Sequence, residues 1–286
     1  MQSKFDEVDK LFDKLGEKHR ETLENAKIKP IHDEFQFAQN GIWTMIGTMS
    51  SGKTYNYLKL AAKQERMFNE PFFETVTVCS TSGEFDQTVR VFTEAIRKSN
   101  LITVQDNNLL EFLNKYIKIT KLYQALVRFT KSKFQKLDDD DIIEIIAKYN
   151  LNTKNKLIEF ISKALTEIGW RTYPHRMLLI LDDFASHPLL KHKEFPLSAL
   201  LKKLRHFNIT VIICVQTTMS IPPDIKRIMS DCILFPGISL NNFKDLIKDS
   251  TLSCYDPDEL WNEYQKIKNQ QTMFICHTKT RQTKII

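Results

Sequence analysis

The sequence predicts an α/β fold built on a central, mostly parallel sheet flanked by helices. Three observations carry that expectation. Short apolar runs of strand length recur along the chain, helical patterns separate most of them, and one run opens directly into a glycine-bounded turn.

Taken in order, residues 1 to about 30 read as a charged amphipathic helix. Phe5, Val8, Leu11, Phe12 and Leu15 fall at steps of three and four, Gly16 interrupts the pattern and Pro30 ends it. Residues 1–38 are therefore expected to form a helical arm. The first strand is Ile42-Trp43-Thr44-Met45-Ile46, which leads into Gly47, and residues 53 to about 66 are helix-like. Thr75-Val76-Thr77-Val78-Cys79 is a second strand, rich in β-branched residues. Further strands are expected at 177–181, 209–215, 232–235 and 273–276. Between about 106 and 172 the pattern changes to helices alone. Leu109, Leu113, Tyr116 and Ile117 share one face, as do Leu157, Ile161, Ala164, Leu165 and Ile168. Residues 138–141 are four aspartates ahead of an apolar helix, where carboxylates favour the N-terminus. The expected organisation is one domain over 39–286, interrupted by a helical insertion at about 106–172.

Composition narrows the function classes. The chain has 286 residues, 42% hydrophobic, enough for one good-sized domain with an appendage. It lacks any run of about 18 apolar residues, so no membrane span is expected. The charged first twenty residues lack the apolar core of a signal peptide, which predicts an intracellular protein. The cysteines, Cys79, Cys214, Cys232, Cys254 and Cys276, are too far apart for a zinc or redox pair; several sit in apolar runs, where a thiol behaves as a small core residue, and a reduced structural role is expected. A net charge of +6 favours an anionic partner.

Gly47-Thr48-Met49-Ser50-Ser51-Gly52-Lys53-Thr54 has the spacing of a phosphate-binding loop, four residues between glycines and then Lys-Thr. The glycines let successive backbone N–H groups turn toward a phosphate, and the helix that follows presents its positive end to the same anion. Lys53 would reach the β- and γ-phosphates of ATP, and Thr54 would ligate Mg²⁺. Leu178-Leu179-Ile180-Leu181-Asp182-Asp183 places two acids at the end of a buried strand, where α/β sheets bind ligands. Asp182 would hold the metal through water, and Asp183 would orient or deprotonate the attacking water. A third strand end, at Gln216, offers an amide that can sense the γ-phosphate.

With these residues in view the chain resembles a known family. Arg205-His206-Phe207-Asn208, followed by Cys214-Val215-Gln216-Thr217, is similar to a block of the poxvirus-type viral DNA-packaging ATPases, within the FtsK/HerA superfamily of ring translocases. The order of motifs agrees over roughly residues 39 to 240, ending in Ser230-Asp231-Cys232-Ile233-Leu234-Phe235. The resemblance implies a RecA-like P-loop NTPase fold. It also implies a homo-oligomeric ring, pentamer or hexamer, that drives double-stranded DNA into a capsid through a vertex protein. Location in host cytoplasm, viral factory or virion would follow, as would a role for Arg205 as a finger acting in trans on a neighbour's ATP. Two departures stand out: the long segment before Asp182, and Asp183 where many relatives carry Glu.

The insertion adds a charge signal. From Phe112 to Leu137 there is no acid, but Lys115, Lys118, Lys121, Arg128, Lys131, Lys133 and Lys136 alternate with aromatics. Lys131, Lys133 and Lys136 are candidate DNA contacts; a solvated helix face would look the same. Rival functions are a cellular or plasmid translocase or helicase, a nucleotide kinase, and a nucleotide-gated switch. A kinase needs an arginine-rich lid, which Arg171 and Arg176 do not supply.

Overall fold

The computed structural model describes residues 40–57, 73, 75–80, 100–131, 147–153, 155–156, 159–160, 163, 176–184, 187, 189, 196–267, 273–278 and 281–285. The chain divides into two compact units. One, Phe37–Leu109 with Arg176–Ile286, holds the sheet; the other contains Leu110–His175.

The strands are β1 (Ile42–Ile46), β2 (Thr75–Ser80), β3 (Asn100–Gln105), β4 (Met177–Asp182), β5 (Ile209–Val215), β6 (Asp231–Leu234), β7 (Phe274–His277) and β8 (Gln282–Ile285). They form one sheet in the order β3-β2-β4-β5-β1-β6-β7-β8. The first six run parallel, and β7 and β8 add an antiparallel edge. β1 and β5 are buried at every residue. That absence of alternation marks strands covered on both faces, as in helix-flanked parallel sheets. In β4, Leu178, Leu179, Ile180 and Leu181 are fully buried, each contributing about 1.5–3 kcal/mol.

Asparagines set where the central strands begin. Asn208 adopts φ +55°, a left-handed conformation that asparagine tolerates, and its N–H closes the preceding turn onto Leu204 O. Its carbonyl then accepts from Met177 N at 3.0 Å, tying the entry of β5 to that of β4. Asn40, at φ +57°, does the same for β1 through a 3.0 Å bond from its N–H to Thr210 Oγ1.

The expected strands at 42–46, 75–79, 177–181, 209–215, 232–235 and 273–276 are present, within a residue at each end. Two strands had no counterpart in the sequence reading. β3 lies at one edge of the sheet and β8, Gln-Thr-Lys-Ile, at the other. In the second unit, the Leu109–Lys131 helix buries Leu113, Tyr116 and Ile117, the face its spacing predicts, while Asn114, Lys115 and Lys118 are exposed. The N-terminal arm, the aspartates at 138–141 and the apolar face from Leu157 to Ile168 lie outside the described residues.

Candidate active site

Residues 47–54 connect β1 to a helix that begins at Lys53. Gly47 donates its N–H to Val215 O at 3.1 Å, which pins the loop to the end of β5. A Cβ at this position would lie 2.5 Å from Ser51 Oγ and 2.7 Å from Phe235 Cβ, so only glycine fits. Ser50 at φ +61° and Gly52 at φ +89° turn the chain, and Ser51 N–H bonds Thr48 O at 3.2 Å. The backbone and side-chain nitrogens of Asn56 both donate to Gly52 O at 2.9 Å, fastening the loop to the helix.

Lys53 Nζ donates to Gly47 O at 2.6 Å and Thr48 O at 2.8 Å, so its ammonium rests against the loop. Burial lowers its pKa, opposed by the negative charges of Asp182 and Asp183. A cation partly withdrawn from water in this way is a strong anchor for an anion.

Asp182 closes β4. Its Oδ2 accepts from Thr54 Oγ1 at 3.3 Å and from Tyr57 OH at 2.9 Å. Burial raises the Asp182 pKa, countered by the Tyr57 hydrogen bond and the Lys53 charge. Burial likewise raises that of Tyr57, reinforced by the neighbouring carboxylate. Asp183 is exposed and sits at φ +56°. Aspartate enters this left-handed region more readily than the longer Glu, which accounts for the shorter acid here.

β5 lies between β1 and β4 and pairs with both. The strands that lead into the loop and the acids are thus two spacings apart, about 10 Å, with β5 between them, and the Thr54 side chain closes the gap to Asp182. Gln216, next after β5, donates from Nε2 to Asp183 Oδ1 at 3.0 Å. Cys214 is fully buried two residues earlier, and burial drives its thiol pKa well up, so it stays neutral.

Two features escaped the sequence reading. Tyr57 looks like an ordinary core aromatic, although its spacing of three from Thr54 and four from Lys53 puts all three on one helix face. The second is a hydrogen bond between His187 Nε2 and Asp106 Oδ2 at 3.0 Å. Leu189 N–H donates to His187 Nδ1 at 3.2 Å, so the neutral ring carries its proton on Nε2, toward Asp106. With Phe184 buried against the same ring, this pair anchors the turn after Asp183 to the residue following β3. No sequence signal links residues so far apart.

The structure brings Lys53, Thr54, Asp182, Asp183 and Gln216 together at the carboxyl ends of the central strands β1, β4 and β5. Arg205 belongs to the 3-10 turn Leu204–Phe207 ahead of β5, and its side chain is outside the described residues. So are the side chain of Lys131, which ends the long helix, and the whole of Lys133 and Lys136.

Among the described residues, no three His, Cys, Asp or Glu side chains gather in a metal-binding cluster. The available donors are the hydroxyl of Thr54 and the carboxylate of Asp182, both hard oxygens. That set fits Mg²⁺, which takes few protein ligands and completes its octahedron with phosphate oxygens and water.

Sheet and loop define the class: an α/β fold of the P-loop NTPase type, with a parallel strand between the loop strand and the acid strand. No protein-family model matches the sequence, and neither does any curated protein. Solved structures do. The genome packaging NTPase B204 from Sulfolobus turreted icosahedral virus 2, in complex with ATP-gammaS, aligns at 15% identity and a TM-score of 0.48, over 86% of this chain and 95% of that one. B204, the DNA-packaging ATPase from Sulfolobus turreted icosahedral virus, aligns at 15% identity and 0.47, over 87% and 98%. The cytoplasmic domain of the Thermomonospora curvata type VII secretion ATPase EccC aligns at 14% identity and 0.44, over 86% of this chain and 25% of that one.

Proposed function

We propose that this protein is an ATPase that translocates double-stranded DNA, packaging a viral genome into its capsid. The observation that carries the reading is the meeting of three strand ends. The loop with Lys53 and Thr54 follows β1, Asp182 and Asp183 close β4, and Gln216 leaves β5 between them, bonded to Asp183.

The chemistry follows from that arrangement. The N–H groups that open the helix at Lys53 and Thr54, together with the Lys53 ammonium, hold the β- and γ-phosphates of ATP. Thr54 and Asp182 would hold Mg²⁺, which when bound would neutralise charge on the phosphates. Asp183 takes a proton from water as its oxygen attacks the γ-phosphorus, and the bond to the bridging oxygen breaks, releasing ADP and phosphate. Gln216 holds the Asp183 carboxylate and senses the γ-phosphate.

The finer part of the reading, duplex DNA and a capsid, is supported by the block from Arg205 to Thr217 and its order relative to the loop and acids. A ring of this chain, pentamer or hexamer, would bring Arg205 to a neighbour's ATP. Met49 and Met219, 75% and 77% exposed, lie on the two loops that bear the site, where a neighbouring subunit would cover them.

Steady-state hydrolysis with and without duplex DNA tests the proposal. The parent protein should hydrolyse ATP only with Mg²⁺ and faster with DNA. Lys53→Ala should lose binding and turnover, whereas Asp183→Asn should bind Mg²⁺–ATP and turn it over on the order of 10²-fold or more slowly. Hydrolysis indifferent to DNA would exclude the translocase. Turnover by Lys53→Ala near the parent rate would exclude the loop assignment itself.

A further inference from the structure

We infer that Tyr57 is a positioning residue for the metal-holding carboxylate: its hydroxyl fixes Asp182 so that a divalent cation meets a preset oxygen. The inference rests on the reading of residues 47–54 and Asp182 as a metal–nucleotide site, and it adds a residue that the loop motif does not contain.

The geometry is specific. Tyr57 is 1% exposed, and its ring spans from the loop helix to the end of β4, with the hydroxyl at its tip. There the hydroxyl donates to Asp182 Oδ2 at 2.9 Å, a closer contact than the 3.3 Å from Thr54 Oγ1 to the same oxygen. Two donors on Oδ2 oppose rotation of the carboxylate about its terminal torsion, which is otherwise broad. Among the described residues no hydrogen bond reaches Oδ1. Oδ1 is therefore the oxygen left for the cation or for a water bound to it.

Chemistry explains why a phenol suits the position. Mg²⁺ demands near-ideal octahedral geometry, so a ligand that swings loses affinity, and a partner outside the coordination shell corrects this. A lysine or arginine would orient the carboxylate too, but its charge would repel the cation. A tyrosine hydroxyl donates without that charge, and its ring meanwhile fills the core beneath the helix.

Tyr57→Phe keeps the ring and removes the donor. Binding of a fluorescent ATP analogue, titrated with Mg²⁺ and separately with Mn²⁺, reads the effect without requiring turnover. The Mg²⁺ concentration at half-saturation should rise by about 10-fold or more, the scale of lost outer-shell partners. The shift for Mn²⁺ should be smaller, and nucleotide binding without metal should not change. A purely structural role predicts the reverse, a lower melting temperature and equal loss with either metal. Placing 4-fluorophenylalanine at position 57 fills the volume of the hydroxyl without donating, and covers the case in which a small void under Phe unfolds the protein. An unchanged Mg²⁺ half-saturation in either folded variant overturns the inference. Asp182→Asn, run alongside, separates the two levels. If it loses metal dependence while Tyr57→Phe does not, only the positioning role fails. If Asp182→Asn also keeps normal Mg²⁺ dependence, the metal site itself is misassigned.

Discussion

Asp182 stands where water has little access, and this gives the protein a pH signature. Burial raises the folded-state pKa above the ordinary 3.8, so the folded protein holds the carboxyl proton more tightly than the unfolded chain. The resulting stability is fully present below the unfolded value and is lost as pH rises through the raised folded value. At neutral pH the ionised carboxylate therefore weakens the fold in the absence of nucleotide. Asp182→Asn is neutral and isosteric, and its side-chain oxygen can still accept from Tyr57. It should melt higher than the parent at pH 7 without ligands, and the gap should narrow as pH falls toward 4. Thermal unfolding across that range checks the trend. A gap that stayed constant with pH would mean that the Asp182 carboxyl is not the origin. The same residue is where the proposed function and stability pull apart, since the substitution that steadies the fold removes the carboxylate proposed to hold the metal.

At the scale of elements, the loop is backed by a structure built around Tyr264. Its hydroxyl donates to Phe235 O at 2.8 Å and accepts from Ile238 N at 2.9 Å, which fixes the turn after β6. Phe235 in turn bonds Ile46 O through its N–H and stands behind Gly47. Tyr264→Phe leaves a carbonyl and an N–H without their partner and should cost about 1–3 kcal/mol, measured by urea unfolding. A change under a few tenths of that would show that the turn holds its shape unaided. The elements that support the site were the legible ones. β1, β4 and β5 are buried on both faces, so they stand out in the sequence as unbroken apolar runs bounded by Gly47, Asp182 and Gln216. β3 and β8 lie at the sheet edges. β8 is defined by its ladder with β7 more than by its side chains, and Gln282-Thr283-Lys284-Ile285 carries little apolar signal. The hidden part of the site consists of long-range pairs. Tyr57 meets Asp182 across 125 residues, and Asp106 meets His187 across 81, so neither contact leaves a local pattern.

For the whole molecule, the excess of positive charge is concentrated where acids are missing. Lys115 and Lys118 are exposed on the long helix, and the acid-free stretch continues through Lys131, Lys133 and Lys136. If these three contact duplex DNA, replacing them with Gln should flatten the dependence of log affinity on log salt by up to about 3, read by fluorescence anisotropy from low to physiological salt. An unchanged slope would return the stretch to a solvated surface. The sheet order has a different consequence, one that concerns the ribosome. β1 pairs with β5 and β6, so Ile42 must wait for Val211, and Trp43 for Asp231. At about 5–20 residues per second, the interval between emergence of β1 and of its first partner is roughly ten to thirty seconds. Throughout that time a nascent chain carries Ile42-Trp43-Thr44-Met45-Ile46 unpaired, a natural client for a chaperone. The loop that follows has no Val215 carbonyl to hold Gly47 until β5 has been made. Synthesis must therefore run through most of the chain before the loop and the acids can come together.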